Sequence, residues 1–228
     1  MNARTILILR IALGLASIFM AYRIYRIIMQ PIEFEQIKTK RYLAVQENME
    51  QLREAQLLYK EAYGMYADNV NFLEDFIAFD SVNVVVRKDS SFMYYDRVYQ
   101  MDRNKDTVIF RVVGRVSALE KLRQVNSDLF GEDLGTFMET EGGYTYPVKN
   151  DALEMLSQIP YNDETSFELA TGEVFRNGVK VPVFELTATH ENIFHDVWGR
   201  YENLIKNLRI NGLIVGSLAE PTLSGNWK

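Results

Sequence analysis

Residues 5–29 are strongly apolar, and the only charges among them are Arg10, Arg23 and Arg26. The first 18 of these residues, 5–22, carry a single charge, Arg10. Wound as a helix at about 1.5 Å per residue, 18 residues reach roughly 27 Å, close to the thickness of a hydrocarbon core. Apolar side chains go all the way round between Ile11 and Tyr22, so the run has no polar face to leave in water. Whatever else the chain folds into has to accommodate this segment.

The expected solution is a transmembrane anchor over residues 1–30, with the span at about 5–29. Arg10 lies near one end, where its stem snorkels to the headgroups. Tyr22 and Tyr25, with Arg23 and Arg26, make an interfacial belt at the other. Three structures compete with it. A cleaved signal peptide needs small residues at −3 and −1: Phe19-Met20-Ala21 fails at −3, and Gly14-Leu15-Ala16 leaves few apolar residues after Arg10. A core helix of a soluble protein has three arginines to pair, and an interfacial helix needs a polar face. Ala12/Ala16 and Ser17/Ala21 are small-xxx-small pairs that let a second helix approach, a spacing common by chance.

Of the 228 residues, about 200 remain for a water-soluble part, enough for one domain or a stalk plus a domain. Hydrophobic residues make up 47% of the chain, so that part can bury a core. The absence of cysteine excludes disulfides, thiolate metal sites and cysteine nucleophiles. The net charge is −6, yet residues 1–29 hold four arginines and no acid, so the remainder carries −10. An acidic domain is ill suited to coating nucleic acid, and protein partners are expected instead. Lys38, Lys40 and Arg41 follow the span with Arg23 and Arg26, which by the positive-inside rule keeps the domain cytoplasmic. The short N-terminal tail favours export, and a periplasmic domain on the inner membrane is the expectation.

Pro31 marks a break or kink. Residues 32–65 read as one long helix with an apolar stripe through Val45, Met49, Leu52, Ala55, Tyr59, Ala62 and Tyr66, and Gly64 sits where a C-cap belongs. The stripe packs either on its own domain or on another subunit. Helices are expected at 70–79 (Leu73, Phe76 and Ile77 inward), 117–126, 151–158 and 193–208, the last with Val197, Tyr201, Leu204 and Leu208 on one face. Strands are expected at 82–86, 92–99, 107–113, 167–175, 179–186 and 213–217, with a polar turn from Asp102 to Asp106. Asn177-Gly178 is a strong hairpin signal, because both central positions of a type I′ turn need positive φ. Pro182 predicts an edge strand or bulge. The rest of 127–165 reads as loops. The fold class is α+β: a transmembrane helix continuing into a long amphipathic helix, then a mainly antiparallel sheet with packed helices. The units are an anchor at 1–30, a helical stalk at 31–80 and an α+β domain at 81–228.

No constellation for chemistry emerges. His190-Glu191 begins like a zinc-protease helix, but the second histidine is His195, five residues on and about 140° round the helix. Both read as a helix start and surface histidines, with Thr189 as N-cap and Asn192 nearby. Asp102 to Asp106 begins like a calcium loop, yet Thr107 and Val113 stand where Gly and Glu are needed. Gly131 to Gly135 lacks the lysine and third glycine of phosphate loops. Nothing fixes Glu139 with Glu141, or Asp163 with Glu164, as a working carboxylate pair. Tyr94, Tyr95 and Tyr99 lack the basic surround of a base-stacking platform, so core packing or a protein contact is expected. Catalytic, cofactor and metal residues are accordingly expected to be none.

One region resembles the type II secretion pseudopilins and type IV pilins. The apolar helix runs into Leu52-Arg53-Glu54-Ala55-Gln56, Tyr59, then Tyr63-Gly64-Met65-Tyr66-Ala67 and Leu73. That is similar to the family's helix exit, over about residues 5–80. The resemblance implies a non-enzymatic structural or assembly subunit of a secretion- or pilus-like envelope machine, working through contacts with other subunits or further copies of the chain. Gly14 precedes Leu15 and the run has no acid, so the family's processing site is absent. An uncleaved subunit of the membrane platform is the variant implied. The alternative is an anchored sensor that binds a small ligand or peptide in a concave apolar pocket.

Overall fold

The computed structural model describes residues 3–141 and 144–227; the side chains of residues 3–9 and of Asp163 lie outside what it describes. It is α+β, with one long apolar N-terminal helix followed by antiparallel sheets and smaller helices. Helix α1 runs Ala3–Tyr63, 61 residues and about 90 Å. The predicted break is not seen: Pro31 lies inside the helix. Its missing N–H costs one hydrogen bond, to the carbonyl of Ile27, and the helix continues on either side.

The two halves of α1 live in different surroundings. Every residue from Arg10 to Ile28 is exposed. From Phe34 onward a stripe of Phe34, Arg41, Val45, Met49, Leu52, Ala55 and Leu58 is buried, at helical spacing. This stripe faces the chain's own domain, the first of its two expected roles. It drifts from the predicted line, since Ala62 is exposed and Leu58 takes the inward place. Gly64 ends the helix as predicted, at φ +78°, and its N–H donates to the Lys60 carbonyl at 2.8 Å. Buried Gln56 then pins the returning chain, donating to the Ala67 carbonyl and accepting from the Ala67 N–H, both at 2.9 Å.

Helix α2 is Val70–Phe79, with the Asn69 side chain capping the Asn71 N–H at 2.8 Å. Strands β1 (Ser81–Asp96) and β2 (Met101–Ser117) form a long hairpin, followed by helix α3, Ala118–Val125. The turn is at residues 97–100, with Gln100 at φ +51°. The expected turn from Asp102 to Asp106 lies within β2 instead. On a two-stranded ribbon with both faces wet, polar residues carry no burial cost, so polarity does not mark a turn.

A second hairpin, β3 (Thr136–Glu141) with β4 (Tyr144–Lys149), occupies part of the expected loop region. All of β3 is exposed, so no apolar alternation announced it. Helix α4 (Asp151–Glu154), a 3₁₀ turn and the short strands β5 (Gln158–Ile159) and β6 (Asn162–Ser166) lead to the main sheet. Here β7 (Glu168–Arg176) and β8 (Val179–Thr189) form the predicted hairpin, with Asn177 at φ +50° and Gly178 at +81°. The expected helix at 193–208 is broken into α5 (His190–Ile193), a 3₁₀ turn and α6 (Trp198–Lys206). Tyr201 is non-helical at φ −121°, ψ 17°. The break lets Phe194 and Tyr201 both meet Phe34, at ring separations of 5.5 and 5.4 Å.

Strand β9, Gly212–Gly216, pairs with residues 185–189 of β8, giving the order β7-β8-β9. Pro182 pairs only toward β7, on the open half of β8, which satisfies the edge-strand expectation within a strand that is otherwise central. The inward residues Phe184, Leu186 and Ala188 of β8 and Leu213 and Val215 of β9 share one core with α1. Tyr66 packs edge-on against Phe184 at 4.7 Å. Each such large side chain contributes roughly 1.5–3 kcal/mol of transfer free energy.

Candidate interaction surfaces

Just past the apolar segment, α1 is clamped to residues 190–201. Gln30 donates to the Arg200 carbonyl at 3.0 Å, and Glu33 accepts from Arg200 at 2.6 Å and from the Tyr201 hydroxyl at 3.2 Å. About two turns further, buried Arg41 grips Asp196 with two parallel bonds of 2.6 and 2.8 Å and also donates to the Ile193 carbonyl at 2.7 Å. Its guanidinium lies 4.9 Å from the Tyr161 ring centre. The Arg41 hydrogen bond holds the Asp196 carboxyl below its usual range. This clamp brings the domain against the end of the exposed helix and leaves little freedom between them.

His190 is buried, not on the surface as predicted, while His195 is exposed. The Thr189 hydroxyl accepts from the Asn192 N–H at 3.4 Å, the expected cap. Tyr42 Oη and His190 Nε2 are 2.6 Å apart with their rings stacked. Burial, with Lys38 nearby, lowers the His190 pKa to about 4; burial, with Glu35 nearby, pushes Tyr42 up to about 12. The pair is thus neutral at pH 7 and locks α1 to the start of α5. The unfolded chain takes up this proton near pH 6.5 and the folded chain only near 4. Stability from the neutral imidazole is therefore complete above about 6.5 and lost as pH falls through about 4. The expected loss over that window is about 2 kcal/mol, reduced for the partial solvation of the ring. Urea unfolding of wild type and His190→Phe at pH 7 and pH 4.5 checks this: the variant should lack that part of the pH slope.

Glu74 of α2 is buried and meets Lys149 of β4 at 3.4 Å, with Asp75 at 2.9 Å from the same ammonium. Burial raises the Glu74 pKa, an effect Lys149 partly offsets. This group ties the base of the second hairpin to α2.

The other residues singled out in the sequence do not converge. Asp102 and Asp106 sit on one side of an exposed strand, on alternate residues with Asn104, and form no loop. Residues Gly131 to Gly135 are stapled by Asn150, which donates to the Asp133 carbonyl and accepts from the Gly135 N–H at 3.2 Å, and by Arg123, which donates to the Gly131 carbonyl at 3.2 Å. Glu139 and Glu141 are exposed on β3, and Glu141 accepts from the Tyr146 hydroxyl at 3.1 Å. Glu164 is exposed on β6, and the Asp163 side chain lies outside the described residues. Tyr94 and Tyr95 point to opposite faces of β1 and Tyr99 is in the turn, all exposed, so core packing is not their role. Among the described residues no three of His, Asp and Glu gather as metal ligands.

What the surface does offer is apolar area. The exposed helix, the β1–β2 hairpin and the β3–β4 hairpin all present large apolar side chains to solvent. A cleft of about 360 Å³ lies between the end of α1 and the base of β1–β2, and its lining mixes the charged Glu61, Asp80, Arg115 and Lys121 with apolar residues such as Leu58 and Val82. The missed site residues were Arg41, Tyr42 and Gln56. Each sits on the inward side of α1, where a polar side chain in an apolar stripe was the available signal. No family model, no curated protein and no solved structure matches the chain.

Proposed function

We propose that this chain is a non-enzymatic, membrane-anchored structural or assembly subunit of a cell-envelope complex of the secretion or pilus type, with its domain on the periplasmic side of the inner membrane. The observation that carries this reading is the division of α1: residues 10–28 exposed all round and apolar, residues 34–58 built into the core. A helix welded into a domain at one end transmits position and force from the bilayer, whereas a flexible tether does not. The resemblance of residues 5–80 to pseudopilins supports the same reading, and exposed hairpins supply surfaces for other subunits.

Three results test it. Leu15→Arg with Ile18→Arg places two charges at mid-bilayer, about 3 kcal/mol each on insertion scales, and should move the chain from the membrane to the soluble fraction. A C-terminal reporter should be active only outside the cytoplasm, and extraction in mild detergent should bring out a defined complex. A cytoplasmic reporter, or a solitary protomer at native expression, overturns the proposal.

A further inference from the structure

Beyond a bulge at Val84/Val85, the β1–β2 hairpin becomes a ribbon in which residues 85–96 pair with residues 101–112. Twelve residues at about 3.3 Å each make an arm about 40 Å long. Among the described residues no third strand joins it. A two-stranded hairpin by itself is marginally stable in water, yet this one is apolar on both faces. Met93 and Phe110 are 72% and 69% exposed on one face; Phe92 and Ile109 are 50% and 49% exposed on the other.

The register also sorts the charges, because cross-strand partners share a face and neighbours along a strand alternate. One face carries Asp89, Asp102 and Asp106 against Arg87; the other carries Lys88, Arg103, Lys105 and Arg111 against Asp96. Internal pairs, Arg87–Asp89 at 3.3 Å and Arg103–Asp96 at 3.4 Å, leave a surplus of acid on the first face and of base on the second. The arm is thus a ribbon with apolar side chains on both sides and opposite charge on each.

We infer that the arm stacks on the arm of a second copy of this chain, the acidic face of one against the basic face of the next. Sheets stack about 10 Å apart with inner side chains interdigitated, which would cover Phe110 and Met93 with Phe92 and Ile109. Like face on like face would set acid against acid or base against base. The contact is therefore heterologous, each copy using both faces, and it extends into a row. An anionic bilayer would cover the basic face and leave the acidic apolar face in water, so it accounts for half of the surface. A footprint of about 400 Å² per copy, about 800 Å² in total, lies below the range of interfaces that are stable between freely diffusing proteins. Anchors confined to one membrane raise the effective concentration that such a contact needs; in this respect the inference rests on the anchored-subunit reading.

The test uses the full-length chain reconstituted in lipid vesicles, where the anchors share one membrane, and its self-association is read by energy transfer between labelled copies. D89K/D102K/D106K makes both faces basic, and K88E/R103E/K105E/R111E makes both acidic. Wild type should form multimers. Each reversed chain alone should fall to the protomer, a loss of about tenfold or more in self-association. Their equimolar mixture should recover multimers, since acidic faces again meet basic ones. Independently of folding in those variants, the cysteine-free chain takes single cysteines: Tyr95→Cys on the acidic face and Tyr94→Cys on the basic face. A bis-maleimide should cross-link the mixture and neither variant alone. Cross-linking of either variant by itself, multimers indifferent to both reversals, or an effect of the basic-face reversal only, overturns the stacking. A wild-type protomer that still co-purifies with other envelope proteins overturns the stacking and leaves the anchored-subunit reading standing; a chain recovered in the soluble fraction overturns that reading.

Discussion

Gly216→Ala should destabilise the domain by about 4 kcal/mol. Gly216 closes β9 at φ +80°, in the region that side chains rarely adopt, and a Cβ there would sit 2.3 Å from the Phe184 carbonyl oxygen. Two penalties therefore add: the left-handed conformation, and a backbone contact that no rotamer relieves. The contact cannot be eased cheaply, because Phe184 is on the core side of β8, edge-on to Tyr66, which anchors the end of α1. Pushing β9 away from β8 would loosen Leu213 and Val215 as well. Gly172→Ala is the control. A Cβ at Gly172 meets only Leu218 and Val183 side-chain carbons, at 3.7 and 3.8 Å, without positive φ; its effect should lie within about 0.5 kcal/mol of zero. Urea midpoints at constant slope separate the two outcomes. Equal stability of both variants would show that the β8–β9 approach is looser than described.

Local chemistry made part of this fold legible. Asn177-Gly178 and Gly64 need positive φ, and both positions have it. Helix α2 and the inward set Leu73, Phe76 and Ile77 follow from an apolar stripe over one short segment. The failures share another cause. The β1–β2 arm and the β3–β4 hairpin are exposed on both faces, so their residues obey no inside–outside alternation that could place a turn at 97–100 rather than at Asp102 to Asp106. Helix α6 breaks at Tyr201 because a distant residue, Phe34, receives it, and nothing local encodes that. The clamp partners Arg41 and Asp196 are 155 residues apart, and single-sequence periodicity shows neither as half of a pair. His190 reads from sequence as a surface residue for the same reason: its partner Tyr42 lies on α1.

That clamp predicts an asymmetry between its two members. The Arg41 side chain is 8% exposed and Asp196 53% exposed. Asp196→Ala leaves a buried guanidinium with the Ile193 carbonyl and the Tyr161 ring as its remaining company. A buried charge stripped of its counter-ion costs about 3–5 kcal/mol, so about 3 kcal/mol is expected here. Arg41→Met removes the charge, keeps most of the stem's packing and returns Asp196 to water; its cost should be about 1–2 kcal/mol, chiefly the lost bond to the Ile193 carbonyl. The double variant should then resemble Arg41→Met, because the carboxylate has nothing left to neutralise. The pair's pH response has a fixed sign as well. Asp196 is held below its ordinary range, so its contribution persists above that range and is lost as pH falls through the folded-state value. Measured unfolding energies with Arg41→Met equal to or worse than Asp196→Ala would refute the assignment of Arg41 as the buried member. The ordering also bears on function: if the stranded guanidinium is what destabilises the domain, Asp196→Ala should loosen the joint between the exposed helix and its domain without touching either hairpin. Faster hydrogen exchange confined to residues 34–45 and 190–201 would be its signature.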